Sequence, residues 1–392
     1  MCIIIKGIMI RNCIASIDRL GVGPMVASDP FLFCVYHKDL FPPAKEKLRK
    51  GNGADFDPNQ PYRMYHGDNV SGFPQHPHRG FETITATMEG YIDHTDSLGA
   101  AGRYGRGDLQ WMTAGKGVVH GEMFPQVHYD EPNLCRFFQI WINLPAKNKM
   151  VPPSYVMHWS EDIPKVISGD KLASVTVWAG HLDGVKGLSP PVFSYGSDPQ
   201  SEVAVWFISL KPGGAFSIPK AAGGNTINRK LYYVEGDALQ VGDQDIDRNC
   251  VISVHADEIA LLKNPSKSKV ADILMLQGKP IGESVAQHGP FVMNTDLEIQ
   301  QAFSDYRSTQ FGGWPWSDDA VVFPPEKGRF TLQNGVEEFP PGGDESKPPR
   351  KPSEMSIKEL KEAINKAGLV AQAKGFTEKT EFVKLLEDAS NN

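Results

Sequence analysis

The chain has 392 residues, more than one ordinary hydrophobic core serves, so two or three domains are expected. Hydrophobic residues make up 40% and charged residues 22%, which excludes a disordered chain. The net charge of -7 excludes a nucleic-acid surface spread over the whole molecule. The one basic run, Lys45 to Lys50, adjoins a Gly/Asp-rich stretch and reads as a solvated loop.

The opening MCIIIKGIMIRNCIASIDRL is apolar but interrupted by Lys6 and Arg11. It is too short for a membrane span and lacks a clean signal-peptide core. No acid precedes Asp18, so organellar targeting stays open. The reading adopted is an edge strand of a first barrel. The five cysteines, Cys2, Cys13, Cys34, Cys135 and Cys250, are scattered, odd in number and form no CxxC pair. That is the pattern of a reducing compartment.

Strand-like segments with Gly/Pro/Asp/Asn turns then follow one another as far as about Leu276. They include Phe31 to Tyr36, Thr83 to Met88, Cys135 to Leu144, Ala173 to Ala179, Val203 to Leu210, Leu231 to Val234 and Glu258 to Leu262. With 38 Gly and 30 Pro, short strands and turns are favoured over long helices, and a barrel or sandwich is expected. The strands fall into two groups, each with a strand, a Gly-rich turn, a strand and a Gly-Asp turn (Gly107-Asp108 and Gly236-Asp237), which points to a duplicated barrel.

The segment from Gly72 reads GFPQHPHRGFETITATMEG. His76 and His78 are two apart, so on a strand both imidazoles face one side. The segment from Gly107 reads GDLQWMTAGKGVVHGEMFP, in which His120 and Glu122 are likewise two apart. On facing strands the two pairs would offer three nitrogens and one oxygen to a single ion. That set suits Fe(II), Mn(II), Ni(II), Cu(II) or Zn(II), and leaves positions open for a substrate. A lone HxH is weak evidence; the pairing with a second HxE some forty residues on, inside a barrel-like pattern, is much stronger. Phe73 lies beside the ligands and is expected at the pocket entrance. Trp111 and Met112 read as core, and His37, His66, His94 and His128 as loop residues or outer partners of the site. His255 stands alone in the second half, which is expected to bind no metal.

From Asn294 to Arg307 the apolar spacing turns helical, with Thr295 and Glu298 forming a capping box. From Glu337 the chain is rich in Pro, Gly and charge and reads as a linker. Ser353 to Ala389 is helical again. Its lysines Lys358, Lys361, Lys366, Lys374, Lys379 and Lys384 are outweighed by seven acids, a poor footprint for phosphate binding.

Gly72, His76, His78, Glu82 and Gly90 follow the first cupin motif with small spacing changes. The run HPHRGFETIT, together with QWMTAGKGVVHGE and with GPFVMNTDLEIQQAFSDYRSTQFGGWPW from Gly289 to Trp316, resembles the pirin family over roughly Gly21 to Arg329. The resemblance implies an all-β fold of two cupin (jelly-roll) barrels. With the tail, which resembles a SAP-like helical module, it sets the expected domains: a metal-holding barrel at 1–150, a metal-free barrel at 151–336, a linker at 337–352 and helices at 353–392. It also implies iron, held as Fe(II) by His76, His78, His120 and Glu122. In that pattern Glu82 is not a ligand; it is expected to orient a histidine by accepting its other N–H. The implied activity is a quercetin 2,3-dioxygenase type of flavonol oxygenation, with Glu122 as general base and a small aromatic substrate. The alternative it implies is an iron- and redox-dependent transcriptional cofactor, placed in cytoplasm or nucleus. Under either reading the tail is expected to meet a protein partner or to pack onto the barrels, not to meet a membrane and not to bind nucleic acid directly.

Overall fold

The structure is a computed structural model that describes residues 3–5, 8–10, 13–21, 23–52, 55–247, 249–343, 353, 355–366, 369–370 and 372–390. The chain divides into two compact units, Met1–Gly343 and Asp344–Asn392.

The first unit holds the expected two barrels. In the first, a six-stranded sheet runs in the order Ser154–His158, Leu109–Thr113, Phe81–Glu89, Asn133–Asn143, Phe31–Phe41, Met25–Val26. Its companion sheet runs Val336–Glu338, Phe330–Gln333, Ala101–Gly105, Tyr91–Asp96, Val118–Met123, Gly72–His78. The second barrel pairs a seven-stranded sheet with a four-stranded one. Its interior is largely apolar, filled by residues such as Val175, Ile208, Leu231, Ile252 and Leu262, with the buried Arg229–Gln277 pair on the same strand faces.

The two barrels pack through one shared core. Ile84, Ala86, Trp111, Phe138 and Ile140 of the first lie against Trp178, Val205, Tyr232 and Leu274 of the second. Strand alternation explains the division of labour. Along Phe81–Glu89, Glu82, Ile84 and Ala86 turn toward the second barrel. Thr83, Thr85 and Thr87 fall on the opposite face, and Thr85 meets Glu122 there. The first barrel can therefore keep a polar interior, because its apolar outer face is buried by its neighbour.

The barrels exchange strands across the boundaries drawn from sequence. The N-terminal strand Ile14–Arg19 edges the second barrel, not the first, by pairing with Cys250–Val254. Ile14 and Ile17 pack on the second core beside the buried Cys13. Ser154–His158 pairs back onto Leu109–Thr113 of the first barrel. Phe330–Gln333 closes the first barrel's other sheet against Ala101–Gly105. Val336–Glu338 continues that sheet, so the stretch expected as linker from Glu337 opens as strand. Residues 344–352 lie outside the described residues.

The expected helix spans Asp296–Thr309 with the Thr295/Glu298 capping box formed. It is tied to the histidine strand through Arg79. The Arg79 guanidinium donates to Asp305 Oδ2 at 2.7 Å and to the Lys116 carbonyl at 2.6 Å, and lies 4.5 Å from the Phe311 ring centroid. Gly80 follows it because a side chain there would strike the Val292 carbonyl, 1.9 Å from an ideal Cβ, at a φ of 85°. The segments HPHRG, GKG and GPFV thus form one assembled unit.

In the second unit, helices Ile357–Lys366 and Lys379–Ser390 bury Leu360, Ile364, Phe382 and Leu386 against each other. Lys379 Nζ caps the Ser353 carbonyl at 2.9 Å. Gly368 lies outside the described residues.

Candidate metal centre

Strands Gly72–His78 and Val118–Met123 are antiparallel neighbours that place His76 directly opposite His120. The ladder is irregular between His120 and Glu122. Glu122 opposes Phe73, so Pro74 and Gln75 together face Gly121. This is a β-bulge, and the sequence suits it. Pro74 has no N–H to leave unpaired, and the Gln75 N–H leaves the ladder to donate to the Asp319 carbonyl at 2.8 Å. The Pro74 carbonyl, freed in the same way, lies 2.8 Å from His76 Nδ1. A carbonyl only accepts, so His76 holds its proton on Nδ1 and keeps the Nε2 lone pair.

Ring centroids of His76, His78 and His120 stand 4.5–4.9 Å apart. One ligating atom from each lies within 4.8 Å of the other two. Burial drives all three imidazoles toward the neutral form, His76 to about 4 and His78 and His120 well below the usual histidine range. Both nitrogens of His120 and Nδ1 of His78 are buried without a hydrogen-bond partner among the described residues. Each such atom is costly, by about 1–3 kcal/mol, unless something satisfies it. Three neutral, convergent imidazoles, two of them buried with unpartnered nitrogens and the third with its Nε2 lone pair left free by the Pro74 bond, are the donor set a divalent transition metal requires, and the residues fit the ion.

Glu122 lies next to this group but is not one of the three convergent donors. It is buried, and burial raises its carboxyl above the usual range. Oε1 accepts from Thr85 Oγ1 at 3.1 Å and from the Tyr104 hydroxyl at 3.4 Å; Oε2 accepts from Gln139 Nε2 at 2.7 Å. Oε1 thus has both lone pairs engaged, while Oε2 keeps one for an ion or a proton.

A cavity of about 850 Å³ opens onto His76, His78 and Glu122. Its wall is largely aromatic, with Phe33, Phe56, Tyr65, Phe73 and Trp141, and Pro290 joins from the Gly289–Trp316 segment. Phe73 is where the sequence places it. Trp111 and Met112 are buried core, as expected.

Glu82 is a correction. It orients no histidine. Being even-numbered on its strand, it faces the second barrel, where it accepts from Trp111 Nε1 at 2.7 Å, Thr113 Oγ1 at 3.2 Å and the Tyr195 N–H at 2.8 Å. It pins the Tyr195 loop to the first barrel. Burial raises Glu82 from 4.5 to about 7. Between those values the folded chain holds a proton that the unfolded chain has released, so stability falls as pH rises through that window, by at most about 3 kcal/mol. In urea unfolding at pH 5 and pH 8, the stability of the wild type relative to Glu82→Gln is expected to fall by that amount as pH rises, the buried histidines contributing equally to both proteins.

Two of the remaining histidines lie close to the centre. His94 is on Tyr91–Asp96, opposite Glu122 in register, with its ring 5.5 Å from that of His120. His37 is no loop residue but lies in the middle of Phe31–Phe41 and lines the cavity. His66 also lines the cavity, beside Phe73. The signal for His37 was its alternation with Asp39 and Phe41 on one strand face. The other three ligand-shell groups, Thr85, Tyr104 and Gln139, are ordinary strand residues with no sequence signature.

Comparison with known proteins places these features in a family. The pirin model matches residues 27–142, and the pirin C-terminal cupin domain model matches residues 205–312. A Pseudomonas aeruginosa protein named "Putative quercetin 2,3-dioxygenase" is 37% identical over 245 residues, covering 61% of this chain and 80% of that protein. Pirin of Homo sapiens is 35% identical over 265 residues, covering 66% of this chain and 84% of its own. A crystal structure of quercetin 2,3-dioxygenase from Acinetobacter baumannii superposes with a TM-score of 0.60 at 28% identity, covering 77% of this chain and 96% of that one. With both cupin domains matched and four-fifths of such relatives spanned, the chain belongs to the pirin family of two-barrel cupin proteins.

Proposed function

We propose that the chain is a metal-dependent dioxygenase of flavonol-like phenols, with His76, His78, His120 and Glu122 holding one ion, Fe(II) foremost. The observation that carries the reading is the junction of the three convergent imidazoles with a deep, aromatic-walled cavity. A protein whose metal served only to report redox state would need no cavity of that size at its ions. When bound, the metal supplies Lewis acidity and electron transfer toward oxygen.

The chain's own groups do the rest. Phe73 and Trp141 offer flat faces to an aromatic ring. When its carboxylate is released from the ion, Glu122 Oε2 offers its remaining lone pair and raised proton affinity to the proton of a substrate hydroxyl. Gln139, Thr85 and Tyr104 hold that carboxylate in one orientation. The names borne by the Pseudomonas and Acinetobacter relatives support a flavonol as the substrate class.

The test is oxygen uptake and carbon monoxide release by Fe(II)-loaded protein given quercetin. Turnover that disappears in Glu122→Gln, with metal retained, supports the reading. No oxygen uptake by fully loaded wild type overturns it.

A further inference from the structure

One wall of the cavity carries a buried relay that the metal centre does not use. Asp39 is an ion-pair partner of Arg63, whose Nε donates to Asp39 Oδ1 at 2.8 Å and whose backbone N–H donates to the same oxygen at 2.9 Å. The Tyr65 hydroxyl donates to the other oxygen, Oδ2, at 2.8 Å. His37 Nδ1 lies 2.7 Å from that hydroxyl. His37, Asp39 and Tyr65 are all buried, at 4%, 1% and 2% exposure.

The direction of these bonds fixes the state of the ring. A carboxylate only accepts, so the single Tyr65 proton is committed to Asp39. The Tyr65 oxygen can then only accept from His37, which must carry its proton on Nδ1. Nε2 is left as a bare lone pair, and no group among the described residues donates to it. The ring is further held by stacking on Phe137 at 4.3 Å, and the residue forms part of the cavity wall.

Tyr65 supplies an independent sign that this arrangement is imposed. Its φ is 54°, a left-handed conformation that a bulky residue adopts at a cost of about 1–3 kcal/mol. The strained backbone bridges Asp55 and Gly72, so the hydroxyl is held in place from both sides. Phe73 stands between the relay and the metal centre, with its ring centroid 6.3 Å from that of His37 and 6.2 Å from that of His76.

We infer that His37 is a specificity residue whose Nε2 accepts a hydrogen bond from a hydroxyl on the end of an aromatic ligand remote from the three imidazoles. The cavity therefore selects polyhydroxylated aromatics over molecules that carry only a metal-binding oxygen pair. Asp39 and Tyr65 act through His37 as positioning residues. The inference rests on the proposed flavonol reading for its choice of ligand class.

The experiment is equilibrium binding, by quenching of tryptophan fluorescence, to the full chain loaded with redox-inert Zn(II). The probes are quercetin and 3-hydroxyflavone, which share the 3-hydroxyl and 4-carbonyl but differ in every other hydroxyl. Wild type is expected to bind quercetin at least about tenfold more tightly than 3-hydroxyflavone. In His37→Leu that preference is expected to shrink to within about twofold. Tyr65→Phe, which keeps the ring but frees its tautomer, is expected to lose about threefold or more of the preference, and serves alone if His37→Leu does not fold. A quercetin preference that survives in the folded variants, or that wild type lacks, overturns the assignment of His37 while leaving the flavonol reading standing. Failure of wild type to bind either compound overturns both.

Discussion

His120→Ala is expected to weaken binding of a divalent transition metal by more than about 100-fold, beyond the loss typical of an outer-sphere partner, while leaving the barrels folded. The argument is one of satisfied and unsatisfied atoms. His120 is fully buried, and neither of its nitrogens has a hydrogen-bond partner among the described residues. Removing it breaks no hydrogen bond in the metal-free chain, so the metal-free stability is expected to change little. Added metal stabilises a folded chain according to its saturation, by about 2.7 kcal/mol at one hundred times the dissociation constant. Wild type is therefore expected to melt several degrees higher with Zn(II) or Fe(II), and His120→Ala to melt at the same temperature with and without metal. His78→Ala is expected to lose the metal-induced shift likewise, since His78 is also buried and its Nδ1 has no partner among the described residues. Thermal melts followed by circular dichroism, with metal content measured on the same samples, check both. A variant that kept its full metal-induced shift would remove that histidine from the site.

Arg103→Ala is expected to have the largest effect on the fold itself, a loss of about 3–5 kcal/mol. Arg103 is 1% exposed and uses all five of its N–H donors. Nε and one Nη2 proton form a bidentate pair with Asp93, at 2.7 and 2.8 Å. The second Nη2 proton goes to the Phe323 carbonyl at 2.8 Å, and the two Nη1 protons to Pro324 at 2.8 Å and Lys327 at 2.6 Å. Truncation would leave the Asp93 carboxylate buried with only the Phe323 N–H for company, and take a donor from the Phe323 and Lys327 carbonyls, while the Pro324 carbonyl keeps the Lys327 N–H. The same residue fastens the segment 323–327 to the first barrel, so the strand Phe330–Gln333 that follows is expected to loosen with it. Urea unfolding would report the loss as a lower midpoint. Hydrogen exchange would report faster exchange along Phe330–Gln333. An unchanged midpoint would show that the pair merely breaks even with its desolvation.

These two cases mark what was legible in the sequence and what was not. The histidine pairs were legible because strand alternation carries two-apart residues to one face, and the HxH and HxE spacings announce it. The bulge that sets the second pair was not, although Pro74 inside a strand hinted at broken pairing. The helix Asp296–Thr309 was legible from its capping box. Strand exchange was not, because a short half-buried segment such as Ile14–Arg19 reads the same whichever sheet edge it completes. Glu82 shows a motif position assigned to the wrong side of its strand. Its register was written in the sequence, in step with Ile84 and Ala86, but the existence of a second barrel on that side was needed to make the outer face a buried one. The groups that hold Glu122 come from three different strands, and only the folded barrel brings Thr85, Tyr104 and Gln139 together.

Anomalous diffraction from crystals of the full chain grown with Fe(II) or Zn(II) would test the metal centre most directly. The expected result is one strong peak in the first barrel, about 2.0–2.2 Å from a nitrogen of each of His76, His78 and His120. A fully loaded protein whose ion lay elsewhere, or was bound by fewer than these three imidazoles, would contradict it.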